Sequence, residues 1–125
     1  MLRIIFPYLP PASFSGNDRR GFYARRGKKG DAQVIKNDLI GLLEEAGWNH
    51  KPIQFPEVRV TFVLDGRRRD HDNMVARMKP IWDGLVSLGV LVDDSLRMLG
   101  WPEYRDRKKK KGEDMHTILE LWSKP

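Results

Sequence analysis

The stretch from Val58 to Leu64 constrains the chain most. Val58, Val60, Phe62 and Leu64 alternate with Arg59, Thr61 and Val63, and that period of two predicts a strand with one buried face. Asp65-Gly66 then marks a turn or bulge. Three arginines, Arg67-Arg68-Arg69, lead straight into Asp70-His71-Asp72-Asn73. A second acidic pair, Asp93-Asp94, ends the apolar run Val90-Leu91-Val92. Carboxylates gathered in this way repel and raise one another's pKa values, and a divalent cation removes that penalty. Hard oxygen ligands suit Mg²⁺ or Mn²⁺, and Mg²⁺ takes one or two carboxylates while keeping several waters. If the backbone stays extended through the motif, Asp70 and Asp72 point to one side and His71 to the other.

The remaining elements follow from periodicity. Leu2 to Pro7 reads as a strand stopped by Pro7, Pro10 and Pro11. Residues 10–30 carry Arg19, Arg20, Arg25, Arg26, Lys28 and Lys29 among Gly and Ser. They read either as a solvated loop or as a flexible basic arm that follows a phosphate backbone. Asp31 is a plausible N-cap for a helix over 31–46, where Val34, Ile35, Leu39, Leu42, Leu43 and Ala46 form one stripe and Gly47 ends it. Trp48 is expected to pack beneath that end. A second helix starts near Asp72 or Asn73, with Met74, Met78, Ile81, Trp82, Leu85 and Leu88 as its apolar face and Gly89 as its stop. Pro80 falls inside it and predicts a kink or a delayed start. Leu96, Met98 and Leu99 suggest a short strand, residues 105–113 a basic loop, and Met115 to Trp122 a last strand. The expected fold is a single α+β domain over residues 1–125, a mixed sheet packed against two main helices.

Composition narrows the function classes. The chain has 125 residues, 40% hydrophobic and 32% charged, which supports one core rather than disorder. Its net charge of +6 favours a polyanionic partner. The absence of cysteine removes disulfides, thiolate zinc and cysteine nucleophiles, and fits a cytoplasmic setting. No apolar run approaches the roughly 18 residues that span a bilayer, so no membrane association is expected, and Met1 to Phe6 is too short for a signal peptide. His50, His71 and His116 show no zinc spacing. Without a Walker-type glycine loop or a G-x-S-x-G elbow, neither a nucleotide cofactor nor serine acyl transfer is expected.

Hydrolysis of a phosphodiester needs a positioned water, neutralised phosphate charge and help for the leaving oxygen, which one or two metal ions supply. Asp70, Asp72 and Asp94 are the favoured ligands, with Asp93 as the alternative. Lys79 is the candidate charged helper, seven residues after Asp72 and so on the same face of a continuous helix. Asp83, one turn further, is placed to orient it. Each has a plainer reading: Asp70 and Asp72 as helix caps, Asp93-Asp94 as a turn, Lys79 as a surface lysine, and Arg67 to Arg69 and Lys108 to Lys111 as solvated loops.

The series Arg67-Arg68-Arg69-Asp70-His71-Asp72-Asn73, Lys79, Asp83-Gly84-Leu85 and Val90-Leu91-Val92-Asp93-Asp94 resembles the RusA family of Holliday-junction resolvases, most closely over residues 58–100. The resemblance implies a small homodimeric Mg²⁺-dependent endonuclease that binds four-way DNA junctions and nicks two strands symmetrically. It implies Asp70, Asp72 and Asp94 as the essential acids and Lys79 as the essential lysine. Arg67, Arg68, Arg69, Arg25, Arg26, Lys28 and Lys29 would then contact DNA. The segment Met74 to Met78 is about three residues longer than the family's spacing, most of one helical turn. The Lys108 to Lys111 run has no counterpart in that pattern. The competing expectations are a non-catalytic basic nucleic-acid-binding module, or a related nuclease for flaps, forks or RNA.

Overall fold

The computed structural model describes residues 1–12, 22–67, 71–95 and 99–123, without the side chains of residues 22–28 and 71–72. The elements are β1 (Leu2–Phe6), α1 (Phe22–Glu45), β2 (Pro56–Leu64), α2 (His71–Ala76), α3 (Lys79–Ser87), β3 (Glu103–Lys108) and β4 (His116–Ser123). They form a small α+β domain whose four strands lie in the order β1-β4-β2-β3. β4 runs antiparallel to both β1 and β2, whereas β3 is parallel to β2. A parallel pair needs a crossover, and α2 and α3 lie in the segment that makes it. The crossover therefore leaves the carboxyl end of β2, where the basic motif falls, and returns to the amino end of β3, with Asp93-Asp94 in the returning segment.

Alternation sorts the strands as their sequences predict. Leu2, Ile4 and Phe6, Val58, Val60 and Phe62, and Leu119 and Leu121 point into one core with Ile35, Leu39 and Leu43 of α1 and Ile81 and Leu85 of α3. Burying side chains of this size contributes roughly 1.5–3 kcal/mol each. Thr117, a buried polar residue of this face, donates its hydroxyl to Tyr8 O at 2.9 Å. On the opposite face Arg59 meets Glu103 at 3.0 Å and lies over the Trp122 ring. β3, an edge strand of sequence Glu-Tyr-Arg-Asp-Arg-Lys, carries the charges that discourage edge-to-edge pairing.

Two glycines end helices as expected. Gly47, at φ +76, lets its own N–H reach Glu44 O and the Trp48 N–H reach Leu43 O. Gly89, at φ +84, does the same for Val86 O and, through Val90, Leu85 O. Both are Schellman ends.

Several boundaries differ from the sequence reading. α1 begins at Phe22 rather than Asp31, so 22–30 are helical and not loop, while 13–21 of the expected arm lie outside the described residues. The expected second helix is two helices, α2 and α3, because Pro80 has no N–H and the chain turns at Arg77-Met78 before it. No strand forms at Leu99, whose N–H bonds helically to Ser95 O at 2.8 Å; residues 96–98 lie outside the described residues. The expected basic loop over 105–113 is strand as far as Lys108, because each residue from Glu103 pairs with β2.

Candidate metal and phosphate site

α3 opens on Lys79, and its i+4 neighbour is Asp83. The Lys79 ammonium donates to Asp83 Oδ1 at 3.1 Å and lies 3.7 Å from Asp94 Oδ2. The Asp83 hydrogen bond, opposed by partial desolvation and helped by the charges of Asp83 and Asp94, raises the ammonium above its ordinary pKa. Lys79 thus stays protonated and sits between two carboxylates. It reaches them as the first residue of a separate helix, not by periodicity along a continuous one from Asp72.

The segment carrying Asp94 is anchored from behind. Val90 and Leu91 are buried, Ile53 N–H donates to Val90 O at 2.8 Å, and Ile53 and Leu91 form an isolated parallel bridge. Val92 is half exposed, so burial stops two residues before Asp94. The two acids then part. Asp93 Oδ1 accepts the Ser95 N–H at 3.2 Å, an Asx turn, whereas Asp94 turns toward Lys79 and is about a third exposed. Asp94 is the member of the pair that faces the Lys79 ammonium, and Asp93 is occupied with the turn.

On the other side, α2 begins at His71, so the alternation of an extended strand does not reach Asp72. Asp72 lies in the first turn of α2 with its side chain outside the described residues; Asp70 lies outside them altogether, as do Arg68 and Arg69. Met74 of α2 and Met78 of the turn after it are buried in the core, and Asn73 O accepts the Arg77 N–H at 3.1 Å. Arg77 Nε also donates to Pro10 O at 2.7 Å, tying the proline segment after β1 to this region, a contact with no signal in the sequence. Among the described residues no group of three His, Asp or Glu side chains is arranged to hold a metal.

The expected cations divide similarly. Arg67 is exposed, and its N–H donates to Asp65 Oδ1 at 3.0 Å across the turn made by Gly66 at φ +91. Lys29 is exposed on α1 and lines a shallow groove with Lys36, Pro80 and Asp83. Arg25, Arg26 and Lys28 fall in α1, with side chains outside the described residues. A second depression of about 430 Å³, missed from sequence, lies between β2 and β3 and is lined by Arg67, Met74, Tyr104, Arg107 and Lys108. Its existence depends on the parallel pairing of β3 with β2, which periodicity does not specify. No helix among the described residues is long and apolar enough to cross a membrane. Comparison with family models and with curated proteins returns no match for this chain.

Proposed function

We propose that the chain is a Mg²⁺-dependent, structure-selective endodeoxyribonuclease that resolves four-way DNA junctions by paired nicks, acting as a homodimer. The observation that carries this reading is the meeting of Lys79 with Asp94 at 3.7 Å and with Asp83 at 3.1 Å. Two segments singled out for phosphodiester chemistry are thereby brought to one point. Asp94 is a hard oxygen donor with access to solvent, which fits a hydrated Mg²⁺. Asp70, Asp72 and Asp94 would hold the cation, which when bound supplies an activated water and neutralises phosphate charge.

The protein's own part is positional. Asp83 holds the Lys79 side chain, so the ammonium is preset to meet a non-bridging phosphate oxygen as charge develops on it. The buried Val90-Leu91 anchor fixes Asp94 from one direction, and Met74 of α2, with Met78 in the turn that follows, fixes the helix from the other. Basic side chains around the centre, Arg67 and Lys29 among them, hold phosphates without reading bases. Two-fold symmetry suits a junction, because strands of like polarity meet equivalent centres.

The test is incubation with synthetic four-way, forked and duplex DNA, with and without Mg²⁺, alongside Asp70→Asn. Symmetric nicks confined to the junction, and lost in Asp70→Asn while junction binding persists, are expected. Cutting of flaps, forks or RNA instead would reassign the substrate. Binding without nicks under every metal condition would reduce the chain to a binding module.

A further inference from the structure

The proposed centre leaves the Lys108 to Lys111 run without a role. β3 ends at Lys108, which the parallel register sets beside Leu64, and the Lys109 N–H extends the pairing by donating to Leu64 O at 2.7 Å. The turn that follows is braced. The Glu113 carboxylate accepts from Arg107 Nη1 at 2.8 Å, from Arg107 Nη2 at 2.9 Å and from the Lys110 N–H at 2.9 Å. The Glu113 N–H returns to Lys110 O at 3.0 Å, and Gly112 completes the reversal at φ +83. Glu113 is engaged with Arg107 and the backbone. Among the described residues no carboxylate pairs with the ammonium groups of Lys108, Lys110 or Lys111, all of which are exposed.

Three unpaired ammonium groups on a fixed turn repel one another, and a polyanion relieves that repulsion as a cation relieves clustered acids. The placement is also directed. Alternation along β3 puts Lys108 on the same side as Tyr104, which stacks on core residue Phe62. That is the helix-covered side of the sheet, where Met74 of α2 packs. The Lys108 stem crosses Gly66 so closely that a Cβ there would lie 3.3 Å from Lys108 Cε. Asp106 shares this side and, among the described residues, is the one acid lining the depression.

We propose that this turn is a second phosphate-binding surface, in which Lys108, Lys110 and Lys111 hold the backbone of a duplex DNA arm beside the scissile phosphodiester. The identity of the polyanion as DNA rests on the endonuclease reading. Lysines act here as point charges on phosphates and carry no sequence preference. Leu64 and Asp70 are six residues apart, which caps their separation at about 20 Å, or roughly six base pairs of rise. The surface therefore acts on an arm close to the cleavage point, not at a distant one.

The test compares the full chain with a Lys108→Ala, Lys110→Ala, Lys111→Ala variant, leaving half-buried Lys109 in place. Junction binding is followed without Mg²⁺ as salt rises, and coincident melting curves establish that the variant is folded. Loss of three phosphate contacts lowers the salt slope by about 2.7, so between 50 and 200 mM salt the parent loses roughly 40-fold more affinity than the variant. Replacing the same three lysines by arginine keeps the slope, and cutting the arms below about six base pairs removes the difference between parent and alanine variant. An unchanged slope overturns the proposal, as does a slope change on duplex RNA alone. A changed slope in a chain that never nicks DNA sinks the nuclease reading and keeps this surface; nicking with an unchanged slope does the reverse.

Discussion

Gly84 lies on the buried side of α3, and replacing it by alanine tests how the helix carrying Lys79 and Asp83 is seated. Taken alone, glycine to alanine in a helix interior gains about 0.5–1 kcal/mol. Here the new methyl carbon would stand 2.7 Å from Leu39 Cδ1, well inside the ~3.5–4.0 Å of a normal carbon contact. Leu39 is fully buried in α1, so its end cannot swing into solvent, and overpacking of this kind costs about 1–3 kcal/mol. The clash wins: Gly84→Ala is expected to destabilise by roughly 0.5–2 kcal/mol, a fall in Tm of about 2–8 °C for a domain of this size. Leu39→Ala alone should cost about 2–5 kcal/mol through its cavity. In the double variant the clash is gone and the added methyl fills part of the void, so the double should be less destabilised than the sum by at least about 1 kcal/mol. Urea melts of the four proteins measure the cycle. A stabilised Gly84→Ala, or additivity within about 0.5 kcal/mol, would refute this packing of α1 on α3.

Three further outcomes are expected. Lys79→Ala should lower cleavage by about 10²-fold with a much smaller loss of junction binding, and Asp83→Asn, which releases but keeps the ammonium, should fall between parent and Lys79→Ala; equal loss of rate and binding in single-turnover assays would make Lys79 a simple phosphate contact. Burial and the 2.5 Å hydrogen bond to Asp38 push the Tyr8 hydroxyl well above its usual 10.0, so the folded state keeps a proton that the unfolded chain releases. Stability from this pair is full below about pH 10 and declines as pH rises beyond it, and urea melts of Tyr8→Phe should show a flatter alkaline limb. Glu113 is pulled down to about 2, chiefly by Arg107 and then by the Lys110 N–H. Its contribution is therefore present above its ordinary 4.5 and fades as pH falls toward 2; Glu113→Gln should flatten the acid limb over that interval, and an unchanged limb would mean the brace does not form in solution.

What the sequence disclosed, and what it withheld, follows from the range of the forces involved. Strand alternation at Val58–Leu64 and Met115–Trp122, and the helix stops at Gly47 and Gly89, are local and were legible. So was the Lys79–Asp83 pairing, which needs only one helical turn. The break between α2 and α3 was signalled by Pro80, yet the chain turns two residues earlier, at Arg77-Met78. The early start of α1 at Phe22 was hidden because Gly27 and Gly30 and the cationic cluster read as loop. The parallel pairing of β3 with β2 was invisible, since charged edge strands carry no apolar period. The basic depression and the braced lysine turn depend on that pairing and went with it. The approach of Asp94 to Lys79 crosses fifteen residues of chain and was an expectation from motif order; the different fates of Asp93 and Asp94 depend on one backbone hydrogen bond that no pattern specifies.

Mn²⁺ binding, followed by electron paramagnetic resonance on the DNA-free chain, bears most directly on whether distant aspartates share one hard cation. Asp70→Asn, Asp72→Asn and Asp94→Asn are each expected to weaken binding by about tenfold or more, while Asp93→Asn, whose carboxylate faces the Ser95 N–H, binds as the parent does. Equal Mn²⁺ affinity in the parent and in all four variants would contradict the account.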